Sequence, residues 1–339
     1  MDKGINRDAT ASLFGFSFQA NAGIIIMLKN IERLDSIRLE GAAEDIELKL
    51  SDGLVICAQA KAVEQPYTNF QNVKSKFYQA IESLSDASKK YGKAIEKLIY
   101  VTNSPDPLHG EGLRPLIDND TYLGFNDLPV GTQGFILKKI EEKGRDIPPE
   151  KLHIYVIPFA TDDLQQRFKY VREAVNDFVG SLISNAPLAF GVKLMERWQN
   201  DLFNSGTIKD TAVSYKKKEI IWPLINLRTE PDYSGEFYSQ FDEAVLEEVK
   251  EKYDEVMGSF CNRWEYVNKI LFAYCSFNSK GSPRERMQAF IEKEWTHYTQ
   301  EFADLESNTE ALNALTKIVL YNVLLRRIVI DEIKKKIKL

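Results

Sequence analysis

Histidine and cysteine are scarce in this chain, with three of each in 339 residues. His109, His153 and His297 lie far apart, which excludes a zinc site of ordinary ligand spacing. Cys57, Cys261 and Cys275 form no ligand-spaced pair and are odd in number. That excludes a disulfide framework and predicts a reducing compartment. No G-x-S-x-G elbow and no G-x-x-x-x-G-K-[ST] loop occurs. A hydrolase with a nucleophilic serine and an intrinsic P-loop ATPase are both unsupported. The longest apolar run, Ile318 to Ile330, is interrupted by Asn322, Arg326 and Arg327, too short and too charged to span a bilayer. The opening Met1-Asp2-Lys3-Gly4 carries no signal-like apolar stretch. These features predict a soluble cytoplasmic protein without a membrane partner. Positive charge is also in short supply, 44 Lys and Arg against 50 Asp and Glu, net −6. A generally basic nucleic-acid coat is excluded, whereas a local basic groove is not.

Apolar periodicity predicts a helix over Phe14–Leu34, strands over Ser36–Glu40, Asp45–Leu50 and Leu54–Lys61, and an amphipathic helix over Tyr67–Tyr91. Glu96–Thr102 and Leu152–Phe159 read as buried strands, and Asp162–Leu182 and Pro187–Phe203 as helices. Residues 103–149 are rich in Gly, Pro and Asp and read as irregular structure or an insertion. Strands alternating with helices imply an α/β architecture, a mixed sheet flanked by helices. From about Tyr215 the texture becomes helical. The expected division is 1–215 for the α/β domain and 216–339 for an all-α domain serving partner binding or oligomerisation. Capping-box spacing at Ser282–Glu285 and at Ser307–Glu310 marks two helix starts there.

The informative window is Leu39 to Ala62. Ser51-Asp52-Gly53 separates two alternating segments. Ile46, Leu48 and Leu50 share parity with Leu54, Ile56, Ala58 and Ala60, which predicts one buried face. The other face presents Asp45, Glu47, Gln59 and Lys61. With Gly53 at the midpoint, Asp45 falls opposite Lys61 and Glu47 opposite Gln59. A carboxylate, an amide oxygen and an ammonium then converge. Mg²⁺ takes hard oxygen ligands, one or two carboxylates plus water and phosphate. Asp45 and Gln59 supply such oxygens, and Lys61 can orient an attacking water and offset charge on phosphorus. A half-solvated antiparallel pair shows charged residues on its outer face in any case, so the pattern alone does not name the chemistry.

The Glu44-Asp45-Ile46 step, the hairpin, Gln59-x-Lys61 and the preceding helix opening Gly15-Phe16-Ser17-Phe18-Gln19 together resemble the CD-NTase-associated double-strand DNA endonuclease domain. That domain is a CBASS-type branch of the PD-(D/E)XK superfamily. The resemblance spans residues 1 to about 215 in layout and 15 to 61 in motifs. It implies a restriction-endonuclease-like fold with Mg²⁺ or Mn²⁺ as cofactor and double-stranded DNA as substrate. It gives Asp45 the metal-binding role, Gln59 the position of a second acidic ligand, Lys61 the active-site lysine and Gln19 a place at the site's edge. Glu40 and Glu44 are possible further ligands. Glu44 has apolar-face parity unless the strand starts later, so Glu40 ranks above it. Ala62 stands where relatives often carry a polar residue or His. The helical C-terminal region resembles the nuclease effector subunits of Lamassu-type antiphage systems. That likeness implies an SMC-like ATPase and a small accessory subunit as restraining partners, and a homo-oligomer when active. A catalytically inactive DNA-binding or adaptor subunit on the same fold is the alternative.

Between Lys61 and Lys97 seven cations face four anions, a local excess of +3. Lys74 and Lys76 are the expected contacts to the DNA backbone. Between Glu230 and Glu255 ten acids face Lys250 and Lys252, a stretch that repels DNA and suits either a basic partner or solvent. The apolar positions of Thr309–Lys334 spread too widely for one surface stripe and predict a central helix or a subunit contact. Trp264 and Trp295 read as core.

Overall fold

A computed structural model of the chain describes residues 9–108, 121–142, 144–160, 162–184, 186–187, 189–259, 264–304 and 306–339. His109, Cys261 and part of the 103–149 stretch lie outside them. Two compact units divide the chain, Met1–Lys217 and Lys218–Leu339.

The first unit is built on a mixed seven-stranded sheet in the order β5-β6-β4-β3-β2-β1-β7. Helix α1 (Ala9–Lys29) leads into β1 (Leu34–Leu39), β2 (Ile46–Leu50) and β3 (Val55–Lys61), an antiparallel meander. Helix α2 (Phe70–Tyr91) then crosses to β4 (Ile95–Thr102), parallel to β3. After β5 (Thr121–Gly124) and α3 (Val130–Glu142), β6 (Leu152–Val156) runs parallel to β4 and antiparallel to β5. Helices α4 (Leu164–Leu182) and α5 (Phe190–Thr207) follow, and β7 (Tyr215–Lys216) pairs with β1. The stretch read as irregular thus contains a strand and a helix. Its prolines lie outside α3, which carries Gly131 and Gly134 and buries Ile136 and Ile140.

Burial explains the layering. Ile56 and Ala58 of β3 are fully buried on the face that meets α1, which also packs on α4 and α5. Val55 and Cys57, of opposite parity, join Phe77, Ile81 and Leu84 of α2 in a second core cluster. Both faces of β3 are therefore covered along Val55–Gln59, while the face expected to be half-solvated opens to solvent at Asp45, Lys49 and Lys61. Strand β4 shows the same condition, with Leu98, Tyr100 and Val101 fully buried. A near-continuous apolar run is the signature of a strand covered on both sides. Helix α1 is long and apolar enough to cross a membrane by length and composition, and 61% of that window is buried inside the fold.

In the second unit, α6 (Lys217–Thr229) carries the chain into α7 (Glu243–Ser259), α8 (Trp264–Ser276), α9 (Pro283–Glu294), α10 (Thr309–Leu325) and α11 (Arg327–Lys336). Helix α10 packs on α7, α8 and α9 and buries Ile318, Leu320, Val323 and Leu324 completely, so it is central to this unit. The single helix expected over Thr309–Lys334 breaks at Arg326, where consecutive arginines interrupt the apolar periodicity. The capping box at Ser282 is formed, Glu285 N–H reaching Ser282 Oγ at 3.3 Å and Ser282 N–H reaching Glu285 Oε2 at 2.6 Å. The second start is capped instead by Asn308, whose Oδ1 accepts from the Glu310 and Ala311 amides. Trp264 is buried against Trp222, while Trp295 is half-buried with Lys317 over its ring.

Candidate active site

The site is assembled where β1 turns into β2. Glu40 has φ 48, a left-handed conformation costly for a non-glycine residue. It is held by its amide donating to the Asp45 carbonyl at 2.9 Å, with Gly41 N–H reaching the Glu44 carbonyl at 2.8 Å. The Gln19 amide of α1 donates to the same Asp45 carbonyl at 2.6 Å. Gln19 is thus a positioning residue, buried and committed to the backbone it holds. Beneath this loop, Glu47 is buried and accepts from Ala43 N–H at 2.5 Å, Glu44 N–H at 3.1 Å and Tyr91 O–H at 2.8 Å. Gly41 lies so close to that carboxylate that an added Cβ would sit 2.3 Å from Glu47 Cδ, so glycine is required there.

The hairpin register differs from the expectation by two residues. Ile46 pairs with Ala58, Glu47 with Cys57 and Leu48 with Ile56, which centres the hairpin on Asp52 rather than Gly53. The cause is a three-residue loop, Leu50 N–H bonding to the Leu54 carbonyl at 2.8 Å, with Gly53 at φ 83 taking the left-handed position. Parity survives a two-residue slip, so the same side chains share a face. The Gln59 amide donates to Asp45 Oδ2, and Lys61 becomes its diagonal neighbour, Nζ to Oδ2 3.7 Å. Long side chains span such diagonals. Ala60 N–H adds a bond to Asp45 Oδ2 at 3.1 Å.

Exposure separates the residues. The Asp45 and Lys61 side chains are 22% and 25% exposed, whereas Gln59 is 3% exposed. The acid and the amine therefore open to solvent from a buried floor. Burial pushes the Asp45 carboxyl above the usual range; Lys61 and the Gln59 bond oppose that shift, and the Glu40 charge adds to it. Glu44 is 4% exposed and is pushed up to about 8 by burial and then by the Asp45 charge. Its Oε2 accepts from Ser83 Oγ at 3.1 Å, and its Oε1 is buried without a hydrogen-bond partner.

Asp45, Gln59, Lys61 and Gln19 are thus brought together. Glu40 is exposed at the loop, close enough for its charge to act on Asp45. Lys74 and Lys76 are half-buried on the first turns of α2. The ranking of Glu40 over Glu44 rested on strand parity, yet β2 begins only at Ile46, so parity does not bind Glu44. No local sequence pattern signals the Ser83 hydroxyl or the Tyr91–Glu47 bond; both come from α2 covering the polar face.

Among the described residues no group of three or more His, Cys, Asp or Glu is arranged to hold a metal ion. Magnesium asks less, one or two carboxylates with water completing the shell. The oxygens of Asp45 and Gln59 and the unpartnered Oε1 of Glu44 are of the hard type it requires. No family model, no curated protein and no solved structure matches the chain.

Proposed function

We propose that the N-terminal unit is a Mg²⁺- or Mn²⁺-dependent DNA endonuclease of the PD-(D/E)XK type. The observation that carries this reading is the solvent-open Asp45–Lys61 pair, 3.7 Å apart on adjoining strands with Gln59 tied to the same carboxylate. Asp45 would hold the metal, with Gln59 and either Glu44 or Glu40 contributing oxygen. A bound divalent ion supplies a water of lowered pKa and neutralises charge on the leaving oxygen. Lys61 orients the attacking water and offsets charge developing on the phosphoryl oxygens. Gln19 and the Glu40 amide fix the Asp45 backbone, and Ala60 N–H fixes its carboxylate, so the acid does not swing away from the lysine. The mixed sheet flanked by helices suits the restriction-endonuclease-like fold that the motifs imply. Lys74 and Lys76 are proposed as backbone phosphate contacts.

The wider role is that of an effector in a bacterial antiphage system, restrained by an SMC-like ATPase and a small accessory subunit and active as a homo-oligomer. It rests on the resemblance of the motifs and of the helical region. A second reading has its own observation. Gln59 replaces an acid, and Asp45 Oδ2 is already engaged by Gln59, Ala60 and Lys61, an arrangement that also suits a catalytically inactive DNA-binding or adaptor subunit. Incubating the purified full chain with linear and circular duplex DNA, with Mg²⁺ or with EDTA, separates the two. Metal-dependent nicking and fragmentation support the nuclease; binding without cleavage in Mg²⁺ and in Mn²⁺ supports the alternative.

A further inference from the structure

The parallel strands β3, β4 and β6 end side by side, and the loops that follow them enclose a cleft of about 550 Å³. Ligands in open α/β sheets bind outside the carboxyl ends of the strands, and this volume is that of a small-molecule site. Asn103, 5% exposed, ties the floor together. Its Oδ1 accepts from Val63 N–H at 2.8 Å, and its Nδ2 donates to the Val63 and Phe159 carbonyls at 2.9 and 3.1 Å. The 65–69 turn is closed by its own backbone, Asn69 N–H to the Gln65 carbonyl at 3.0 Å, and braced by Ser104 Oγ on the Pro66 carbonyl. That built wall carries Tyr67, which is 72% exposed.

The lining chemistry is selective. Glu64 and Asp162 line the cleft, and among the described residues no lysine or arginine does. The two carboxylates at its lining favour an uncharged group over a phosphate. Gln65, Thr68 and Gln166 offer donors and acceptors in the same side chain, and the exposed Tyr67 offers aromatic surface. An uncharged flat group with a mixed hydrogen-bonding edge fits, and a nucleobase is such a group. The cleft also adjoins the candidate active site. Glu64 follows Lys61 by three residues, at most about 10 Å along an extended chain.

We propose that this cleft takes an unstacked nucleobase of the substrate strand beside the phosphate to be cut, with Tyr67 as stacking platform and Gln166 as a reader of its edge. The proposal rests on the nuclease reading and adds a specificity-determining site to it. Unstacking a base from a duplex has a cost that such a pocket offsets by stacking and edge bonds.

The test compares wild type, Tyr67→Phe, Tyr67→Ala and Gln166→Ala on one plasmid in Mg²⁺ and in Mn²⁺, reading the cleavage rate and the sequence of fragment ends. Wild type and Tyr67→Phe should leave ends with a biased base at one fixed position next to the cut. Tyr67→Ala should cut about tenfold more slowly and lose that bias. Gln166→Ala should keep most of the rate with a changed bias. Equal rates and equal ends in all four proteins overturn the base site while leaving the nuclease intact, as does a uniform slowing with unchanged ends. A wild type that cuts with neither metal removes both readings.

Discussion

Asp45 and Glu47 stand two residues apart with the same parity, and their surroundings assign them opposite tasks. Glu47 is enclosed under the 40–45 loop, and both of its oxygens are occupied by donors from Ala43, Glu44 and Tyr91. Asp45 is held by its backbone carbonyl and by one carboxylate oxygen, and its side chain opens to solvent beside Lys61. A carboxylate saturated by buried donors is a structural brace. One that is anchored yet partly exposed beside an ammonium keeps capacity for a ligand. Sequence parity places both acids on one face; only their partners tell them apart.

The largest expected effect is on Lys61. Lys61→Ala should lower Mg²⁺-dependent plasmid cleavage by about a thousandfold, the scale of losing one charge-stabilising group, with an unchanged circular dichroism spectrum. Wild-type rates in that variant would detach the lysine from the chemistry. Glu47 should behave in the reverse way. Glu47→Ala strands three donors and opens a void under Gly41, and should cost about 2–4 kcal/mol in urea unfolding. A loss below about 0.5 kcal/mol would remove its structural role.

Glu44 sharpens the contrast through pH. Its folded pKa of about 8 lies above the ordinary carboxyl value of 4.5. Between those values the folded protein keeps a proton that the unfolded chain has released. This group's contribution to stability therefore falls as pH rises from about 5 to about 8 and stays low above that. In EDTA, Glu44→Gln should melt higher than wild type at pH 9, and the gap should narrow at pH 5. A gap that widens toward acid would contradict the burial argument. The smallest effect is expected at Gln19. Gln19→Ala removes one bond to the Asp45 carbonyl and should cost about 1 kcal/mol of stability, with a larger proportional loss in cleavage.

Much of the sheet was legible because alternation survives error. Ile46, Leu48, Ile56 and Ala58 were assigned to one face from parity, and a two-residue slip leaves parity intact. The register itself was not legible. The three-residue loop with Gly53 at positive φ was indistinguishable, in sequence, from a turn centred on the glycine. Coverage was not legible either. The acids and amides of β2 and β3 read as solvated, yet α2 lies over them, so Glu47 and Gln59 are buried and Tyr91 and Ser83 enter as partners. Those contacts join residues some forty positions apart, which no local pattern encodes. The shift of a helix cap from Ser307 to Asn308 is hidden for another reason. Neighbouring residues of equal propensity compete there, and packing chooses.

The most direct test is a paired measurement on Asp45→Asn: melting temperature, and cleavage of a supercoiled plasmid in 10-fold steps of Mg²⁺. The variant keeps the shape that Gln19, Glu40 and Ala60 hold, so its melting temperature should stay near wild type while cleavage disappears at every Mg²⁺ concentration at which wild type cuts. Cleavage by Asp45→Asn at the wild-type rate, in a protein just as stable, would contradict the assignment of the site.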